Sequence, residues 1–510
     1  MRVLLINTNL KDDVLAAPPI GLCYVASAAD AAGHSVRVLD LCFRRRVRKQ
    51  VEQAIVSFSP EVIGLSLRNL DNVNLLRCVS YLPEAADIVA LIRQITGIPV
   101  VVGGSGASLN PEGIMAHLKA DFIVVSDGEE SFVSLLESLG NGRKTPEPIP
   151  GVGMIHDGEF RLSPAILRDF KVGRPHVGRW IDMRPYEKMG SSYAIQTKRG
   201  CPERCIYCTY NQVLEGNRLR LRPPVDVVDE LEESLFRYKP EAFEFVDSVF
   251  NSPVDHCMEI LEEILRRPWK ARFTAMGVNP RNLDTRFLNL MWRAGFRSFM
   301  ISPESASETM IQNYRKGFHR PDLLLAAEAI SETRFTVMWY FLIGGPGETN
   351  HTLQESLDFV RKHLKGHRRP PYHMANYFLG VRAYPKTELW ERAHQEGFFG
   401  QGVDLLQPVW YISEGLDLDE AVKQMTEAAA DAPEIVLGFD ERYLRLSKAI
   451  SILGKLARMP KPYWRHAWGL NQILLKSGLR FMGMPPNAAS VVRRQLAAQG
   501  YRGPLLHRAS

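Results

Sequence analysis

Apolar and polar positions along the first 150 residues follow two alternating rhythms. Val3–Asn7 is a continuous apolar run of strand length, fit for a parallel strand covered on both faces. Ile20–Ala32 repeats its apolar residues at helical spacing and stops at Gly33, and Ser35–Asp40 is a second strand. The unit recurs as strand Val62–Leu67 with helix Ala85–Ile95, Val100–Gly104 with Pro111–Leu118, and Phe122–Ser126 with Glu129–Leu139. Five strands alternating with helices predict an α/β domain, a doubly wound Rossmann-like sheet over residues 1–150. Ligands of such sheets bind outside the carboxyl ends of the strands. Those ends are Asn7-Thr8, Arg68-Asn69, Gly103-Gly104-Ser105 and Ser126-Asp127-Gly128-Glu129.

Thr145–Pro150 is rich in Pro and Glu and marks a boundary. Residues 151–190 read as a linker that opens with a small hairpin around His156-Asp157-Gly158 and then loses regular pattern. From residue 191 to 400 the rhythm returns. Strands are expected at Tyr193–Thr197, Ala242–Asp247, Arg272–Met276, Ser298–Ser302, Thr336–Leu342 and Ala375–Leu379. Helices at 225–237, 254–266, 284–294, 321–331 and 351–366 lie between most of them. This spacing predicts a partial (β/α)6 barrel with its site at the C-terminal ends of the strands. Residues 401–510 read as a helical, basic tail, in which Leu416–Ala432 is helical and Glu441 is the last acidic residue.

A chain of 510 residues is too long for one core and predicts two to four domains. The formal charge of +6 is mild for this length and does not by itself point to nucleic acid. No apolar stretch reaches the ~20 residues that span a bilayer, and Val3–Ile6 is too short for a secretory segment. A cytoplasmic protein with reduced thiols is therefore expected.

Three of the seven cysteines, Cys201, Cys205 and Cys208, fall within Arg199-Gly-Cys-Pro-Glu-Arg-Cys-Ile-Tyr-Cys208, directly after a strand. Three thiolates on one loop suit three irons of a four-iron, four-sulfur cluster and leave the fourth iron open to a chelating small molecule. Structural zinc is the competing use, but it takes four N/S ligands, and Cys23, Cys42, Cys78 and Cys257 are scattered singly.

Cys-x3-Cys-x2-Cys, with Tyr207 before its last cysteine, resembles the signature of the radical SAM superfamily. The first domain resembles the cobalamin-binding domain that precedes many such barrels. The matching pieces are Pro18-Pro19-Ile-Gly-Leu, Gly33-His-Ser-Val-Arg-Val-Leu-Asp40, Val-Val-Gly103-Gly104 and Asp127-Gly-Glu-Glu. The whole is similar to the cobalamin-dependent, class B methylase-like branch of the superfamily. That resemblance implies three cofactors: a [4Fe-4S] cluster on Cys201, Cys205 and Cys208, S-adenosylmethionine, and cobalamin.

It also implies roles. Asp247, in Phe245-Val-Asp-Ser-Val-Phe250, stands where the family usually reads Gly-Gly-Glu and contacts the amino group of S-adenosylmethionine. Glu304, in Ser302-Pro-Glu-Ser305, would accept from the ribose hydroxyls, and Lys316 would meet the methionine carboxylate. Ile343-Gly344-Gly-Pro-Gly-Glu348 would pack on the adenine, and Arg382 and Tyr384 would lie near the substrate or the corrin. The strand ends of the first domain would hold cobalamin. Its frequent Asp-x-His-x-x-Gly motif is absent, and His34 reads as a solvated turn residue. Cobalamin would then bind without histidine below the metal. Arg68 would lie under the corrin, where a guanidinium has no lone pair to offer cobalt; pairing with a corrin carboxamide or with Asp71 is the alternative.

The activity implied is methyl transfer from methylcobalamin to an unactivated carbon, after a 5′-deoxyadenosyl radical removes its hydrogen. A rearrangement or cyclisation without methylation, and a non-enzymatic sensor, are the rivals. The substrate would be a small molecule, lipid-like or a natural-product intermediate, with flavodoxin or ferredoxin as electron donor and no nucleic acid. The basic, Trp-bearing stretches at 463–476 and 479–484 would either dock on the barrel or touch an anionic inner-membrane surface.

Overall fold

The computed structural model describes residues 1–510 apart from 11–15, 143–146, 170–172, 365–369, 401, 438–448, 451, 460–476, 478–483, 486 and 508–510. Its first sheet is built from β1 (Arg2–Asn7), β2 (Ser35–Asp40), β3 (Val62–Ser66), β4 (Val100–Gly103), β5 (Phe122–Val124), β6 (Val152–His156) and β7 (Glu159–Leu162). The order is β2-β1-β3-β4-β5-β6-β7. The first five strands are parallel, and the hairpin β6–β7 adds antiparallel to β5, so the start of the expected linker extends this sheet.

The apolar run of β1 feeds two cores because successive side chains leave opposite faces. Val3 and Leu5 pack with Leu22, Ala26, Phe132 and Leu135, and Leu4 and Ile6 with Val51, Ile88 and Ile92. Helices α1 (Ile20–Ala31), α2 (Val47–Phe58), α3 (Leu82–Ile95), α4 (Ser105–Leu109), α5 (Pro111–Leu118) and α6 (Gly128–Gly140) cover the faces. Each fully buried aliphatic side chain here contributes about 1.5–3 kcal/mol. Helix α2 is absent from the sequence-based expectation. It buries only Val51, Ala54 and Ile55 on an otherwise charged surface, and Arg46 gives it no side-chain cap.

The second sheet orders β8 (Tyr193–Ile195), β11 (Phe243–Phe245), β12 (Phe273–Val278), β13 (Phe296–Glu304), β14 (Thr336–Ile343), β15 (Tyr372–Leu379) and β18 (Ile435–Leu437) side by side, all parallel. Two short ladders flank it, β9 (Lys198–Arg199) with β10 (Arg220–Leu221), and β16 (Val381–Ala383) with β17 (Val409–Tyr411). The expected six strands are present. The seventh, β18, has three residues and follows the helix Leu418–Asp431, too short a run to stand out in the chain. Phe245, Phe250, Phe273 and Phe296 pack ring against ring in the core, with centroids 5.1–5.8 Å apart.

The helix Ala488–Ala498 buries Val492 and Leu496 in the barrel's own core, and Tyr501 stacks on Phe398 at 4.7 Å. The Trp-bearing basic stretch at 463–476 and most of 479–484 lie outside the described residues. Among the described residues no helix is long and apolar enough to cross a membrane.

Candidate functional site

The carboxyl ends of both sheets open onto one cavity of about 710 Å³. On the barrel side the chain leaves β8, passes β9 and turns at Gly200. Its φ is +86°, and a Cβ there would lie 2.1 Å from the carbonyl oxygen of Arg218, so only glycine fits. The turn delivers Cys201, Cys205 and Cys208 to the cavity wall as free thiols. Burial raises all three, Cys201 to about 12 and Cys205 to about 11, so loading a metal must displace their protons. Among the described residues no group of three or more His, Cys, Asp or Glu side chains closes on a single ion. A four-iron cluster takes one thiolate per iron and requires no such convergence.

Beside the thiols, Tyr207 donates its hydroxyl to Glu304 Oε1 at 2.6 Å, and Lys316 Nζ donates to the same oxygen and to Tyr207 Oη, each at 3.1 Å. Burial alone would lower Lys316, but Cys205 and Glu304 hold it above its ordinary range. Glu304 sits at a register shift between β13 and β14 with φ +64°. A non-glycine residue in that region is held there by its surroundings. The bulged strand end turns its carboxylate into the cavity. Asp247 also lines the cavity, but Oδ1 accepts from Thr197 N and Oδ2 from Thr197 Oγ1, both at 2.7 Å. Both of its oxygens thereby fix the approach to the cysteine loop. Ser302 reaches the cavity; Ser305 faces away and bonds Ser356 Oγ at 2.9 Å.

The opposite wall comes from the first sheet. Arg68, Gly103, Gly104, Ser105, Ser126, Asp127, Gly128 and Glu129 all line it. Gly104 has φ +105°, and a Cβ there would meet Leu67 O at 2.6 Å. Ser105 Oγ donates to Arg68 O at 2.7 Å, which ties two of these loops together. The Arg68 side chain is exposed to the cavity. Asp71, its alternative partner, instead accepts from Arg382 Nε at 3.0 Å and from Val73 N at 2.9 Å. Behind these loops the cavity runs on as an apolar slot between the sheet and α1 and α6, lined by Leu5, Leu22, Val25, Val101, Val124 and Phe132. Gly64 keeps it open, since a Cβ there would lie 2.6 Å from Leu5 Cδ2. A close-packed α/β core leaves no such slot. Slot and glycine-rich rim together fit a ligand with a broad head and a long tail, as cobalamin is.

Other expected site residues lie elsewhere. Asn7 bonds Asp40 at 2.8 Å, Thr8 bonds Ser66 O at 2.8 Å, and Asn69 is exposed outside the cavity. Ile343 is core, and Gly344 donates its N–H to Glu348 and packs near Ile412. The structure does not bring Arg382 and Tyr384 to the cavity. Arg382 is buried on Asp71, Ala383 O and Val409 O, with Tyr384 4.4 Å from its guanidinium, so the pair ties the barrel to the first domain. Sequence reasoning passed over Glu244, Met276, Met300 and Tyr340, which all line the cavity. A carboxylate between two phenylalanines in a buried strand was the available signal for Glu244.

Two family models match the chain: the B12 binding domain over residues 10–136 and the radical SAM superfamily over residues 195–360. An uncharacterized methyltransferase of Pyrococcus horikoshii is 24% identical over 385 residues, 74% of this chain and 78% of the relative. The tryptophan 2-C-methyltransferase of Streptomyces laurentii is 24% identical over 420 residues, 70% of this chain and 69% of the relative. Among solved structures, the radical S-adenosylmethionine methyltransferase TsrM of Kitasatospora setae, with cobalamin and a [4Fe-4S] cluster bound, superposes with a TM-score of 0.79. It is 23% identical and covers 93% of this chain and 98% of its own. TsrM has also been solved with tryptophan and an S-adenosylmethionine analogue bound.

A B12-binding sheet facing a radical SAM barrel across one cavity defines an enzyme of the radical SAM class. The chain carries a B12 binding domain and a radical SAM domain, and over most of its length it is similar to methyltransferases.

Proposed function

We propose that the protein methylates a carbon of a small molecule held between its two domains, taking the methyl group from the corrin after hydrogen is removed from that carbon. One observation carries this reading: the three thiols Cys201, Cys205 and Cys208 and the loops of Arg68, Gly104 and Glu129 line the same cavity. When bound, the cluster supplies an electron to the sulfonium of S-adenosylmethionine, and the corrin carries the methyl group.

The chain's own residues do the positioning. Cys201, Cys205 and Cys208 would each hold one iron of the cluster. Tyr207, Glu304 and Lys316 form a hydrogen-bonded group that offers a carboxylate edge and a cation to S-adenosylmethionine, with Ser302 beside them. Asp247 serves this site by bracing Thr197 and Lys198. Gly103, Gly104, Ser105 and Ser126–Glu129 would cradle the corrin, and Arg68 on the same wall would offer it a cation with no lone pair for cobalt.

Residues 1–150, extended by the hairpin β6–β7, then form the cobalamin domain, and 191–400, with β18 and the helix Ala488–Ala498 of the basic 401–510 segment packed onto it, form the barrel. An external flavodoxin or ferredoxin supplies electrons, in the cytoplasm or at the inner face of the membrane. The test is anaerobic reconstitution with iron, sulfide and hydroxocobalamin, followed by metal analysis and product mass. Four irons and one cobalt per chain, with a product heavier by one methyl group, support the reading. Iron without cobalt overturns it.

A further inference from the structure

The cavity wall carries one carboxylate whose work lies outside the protein's own hydrogen bonds. Among the described residues, the other acidic groups of the wall are all engaged. Asp127 and Glu129 hold Arg199 and Arg220. Glu203 holds Arg281, Glu215 accepts from Gly200 N, Asp247 braces Thr197, and Glu304 holds Lys316. Glu244 has no hydrogen bond and no ion pair, although it lines the same cavity.

Its place in the barrel explains the exposure. Glu244 is the middle residue of β11, and Phe243 and Phe245 on either side point into the core. Alternation therefore turns Glu244 to the inner face. Its register neighbours are Ala194 on β8 and Thr274 on β12, both too short to cover it. Thr274 Oγ1 is itself occupied by Ser298 Oγ at 3.1 Å. The same wall also carries apolar, adaptable side chains. Met276 and Met300 line it, and Tyr340 stacks on Phe378 with centroids 6.1 Å apart. Methionine thioethers and an aromatic pair favour a flat, polarizable body. Arg68 is the charged group that acts on Glu244 from across the cavity, and burial still pushes the carboxyl up to about 7. An ionised carboxylate without a partner is costly in such surroundings. A cation delivered with the substrate removes that cost.

We infer that Glu244 determines substrate specificity: it takes the protonated amine of a substrate whose apolar, flat body lies against Met276, Met300 and Tyr340. This rests on the methyltransferase reading above and deepens it by naming the substrate class as cationic amines with an aromatic or similarly flat body.

The experiment is equilibrium dialysis on cofactor-loaded wild type and Glu244→Gln, at mildly alkaline pH where Glu244 carries its charge. Three probes share one ring system: tryptamine (cationic), tryptophol (neutral) and indole-3-propionate (anionic). Wild type is expected to bind tryptamine at least about tenfold tighter than tryptophol, the size of one desolvated ion pair, and indole-3-propionate weakest. Glu244→Gln is expected to bind tryptamine and tryptophol alike, with tryptophol affinity, S-adenosylmethionine affinity, iron and cobalt unchanged. Wild type that binds no probe or shows no amine preference overturns the inference. So does a preference that survives in Glu244→Gln, or a loss of S-adenosylmethionine binding there, which would assign Glu244 to the cofactor. If wild type lacks iron or lacks cobalt, the methyltransferase reading falls and takes this inference with it. If it holds both and shows no amine preference, this inference alone falls.

Discussion

Arg199 lies two residues before Cys201, and its guanidinium grips Glu129 of the loop after β5 through two bonds, Nη2 to Oε1 at 2.6 Å and Nη1 to Oε2 at 3.2 Å. Both side chains are buried, and Asp127 adds a second carboxylate at 3.2 Å from Nη1. The ring of Tyr24, from α1, lies 4.9 Å from the same guanidinium. The cysteine loop and the Asp127–Glu129 loop are therefore one buried polar unit.

Breaking that unit on one side should cost much more than removing both sides. Arg199→Met leaves Glu129 buried and uncompensated, a loss of about 3–5 kcal/mol. The double variant Arg199→Met/Glu129→Leu should recover most of it, because two apolar groups of similar volume need no partner. Denaturant unfolding of wild type, both single variants and the double variant measures the coupling. Strictly additive losses would show that the bridge does not join the two loops.

The three cysteines make a separable prediction. Cys201→Ala, Cys205→Ala or Cys208→Ala should abolish the cluster's visible absorbance and formation of 5′-deoxyadenosine. Cobalamin content should stay at the wild-type level, because the apolar slot behind Gly64 and the Gly104 rim are built wholly from the first domain. Iron and cobalt analysis of each variant decides it. Full cluster in any one variant would remove that cysteine from the ligand set.

Much of this arrangement is legible in the chain, and the exceptions have physical reasons. The cysteine loop, the Gly104 turn and Glu304 stand out because each needs a particular residue type: a thiol, a residue without Cβ, a carboxylate at a strand end. The parallel strands stand out because burial on both faces demands unbroken apolar runs. Helix α2 does not, since it buries three residues on one narrow stripe. Arg382 was drawn toward the chemistry by its motif, but its partner Asp71 lies 311 positions away, a pairing that periodicity cannot reveal. Glu244 was hidden for a related reason. A lone acid in a short strand becomes notable only when its neighbours across the sheet, Ala194 and Thr274, are seen to be small.

Glu348 gives a pH prediction. Burial lifts its carboxyl to about 8, even though Gly344 N–H and Gly345 N–H donate to Oε2 at 2.6 and 3.1 Å. Oε1 is buried without a partner, which suits a protonated acid. Between the ordinary carboxylate range and about 8, the folded protein holds a proton that the unfolded chain has released. Stability from this group therefore falls as pH rises across that window, with a steepest slope of about 1.4 kcal/mol per pH unit. Glu348→Gln keeps an acceptor for both glycines and cannot ionise, so its stability should fall less steeply between pH ~5 and ~9. Unfolding midpoints of both proteins across that range, at equal cofactor loading, provide the check. Other buried acids such as Glu215 and Glu230 act in both proteins and cancel in the difference. Parallel curves would show that Glu348 is already ionised in the fold.

Arg68 gives a spectroscopic prediction that does not depend on turnover. Its side chain is exposed to the cavity, while Asp71 is committed to Arg382. A guanidinium below cobalt offers no lone pair, whereas an imidazole does. Arg68→His should therefore change the visible spectrum of bound cobalamin toward that of a nitrogen-ligated form and slow methyl transfer. Arg68→Ala supplies no donor and should leave the spectrum close to wild type, with weaker cobalamin retention if the guanidinium also holds a corrin carboxamide. Both variants are compared with wild type by titrating hydroxocobalamin into apo-protein and following the absorbance. A histidine variant with the wild-type spectrum would place Arg68 away from the cobalt and leave its charge to the corrin's edge.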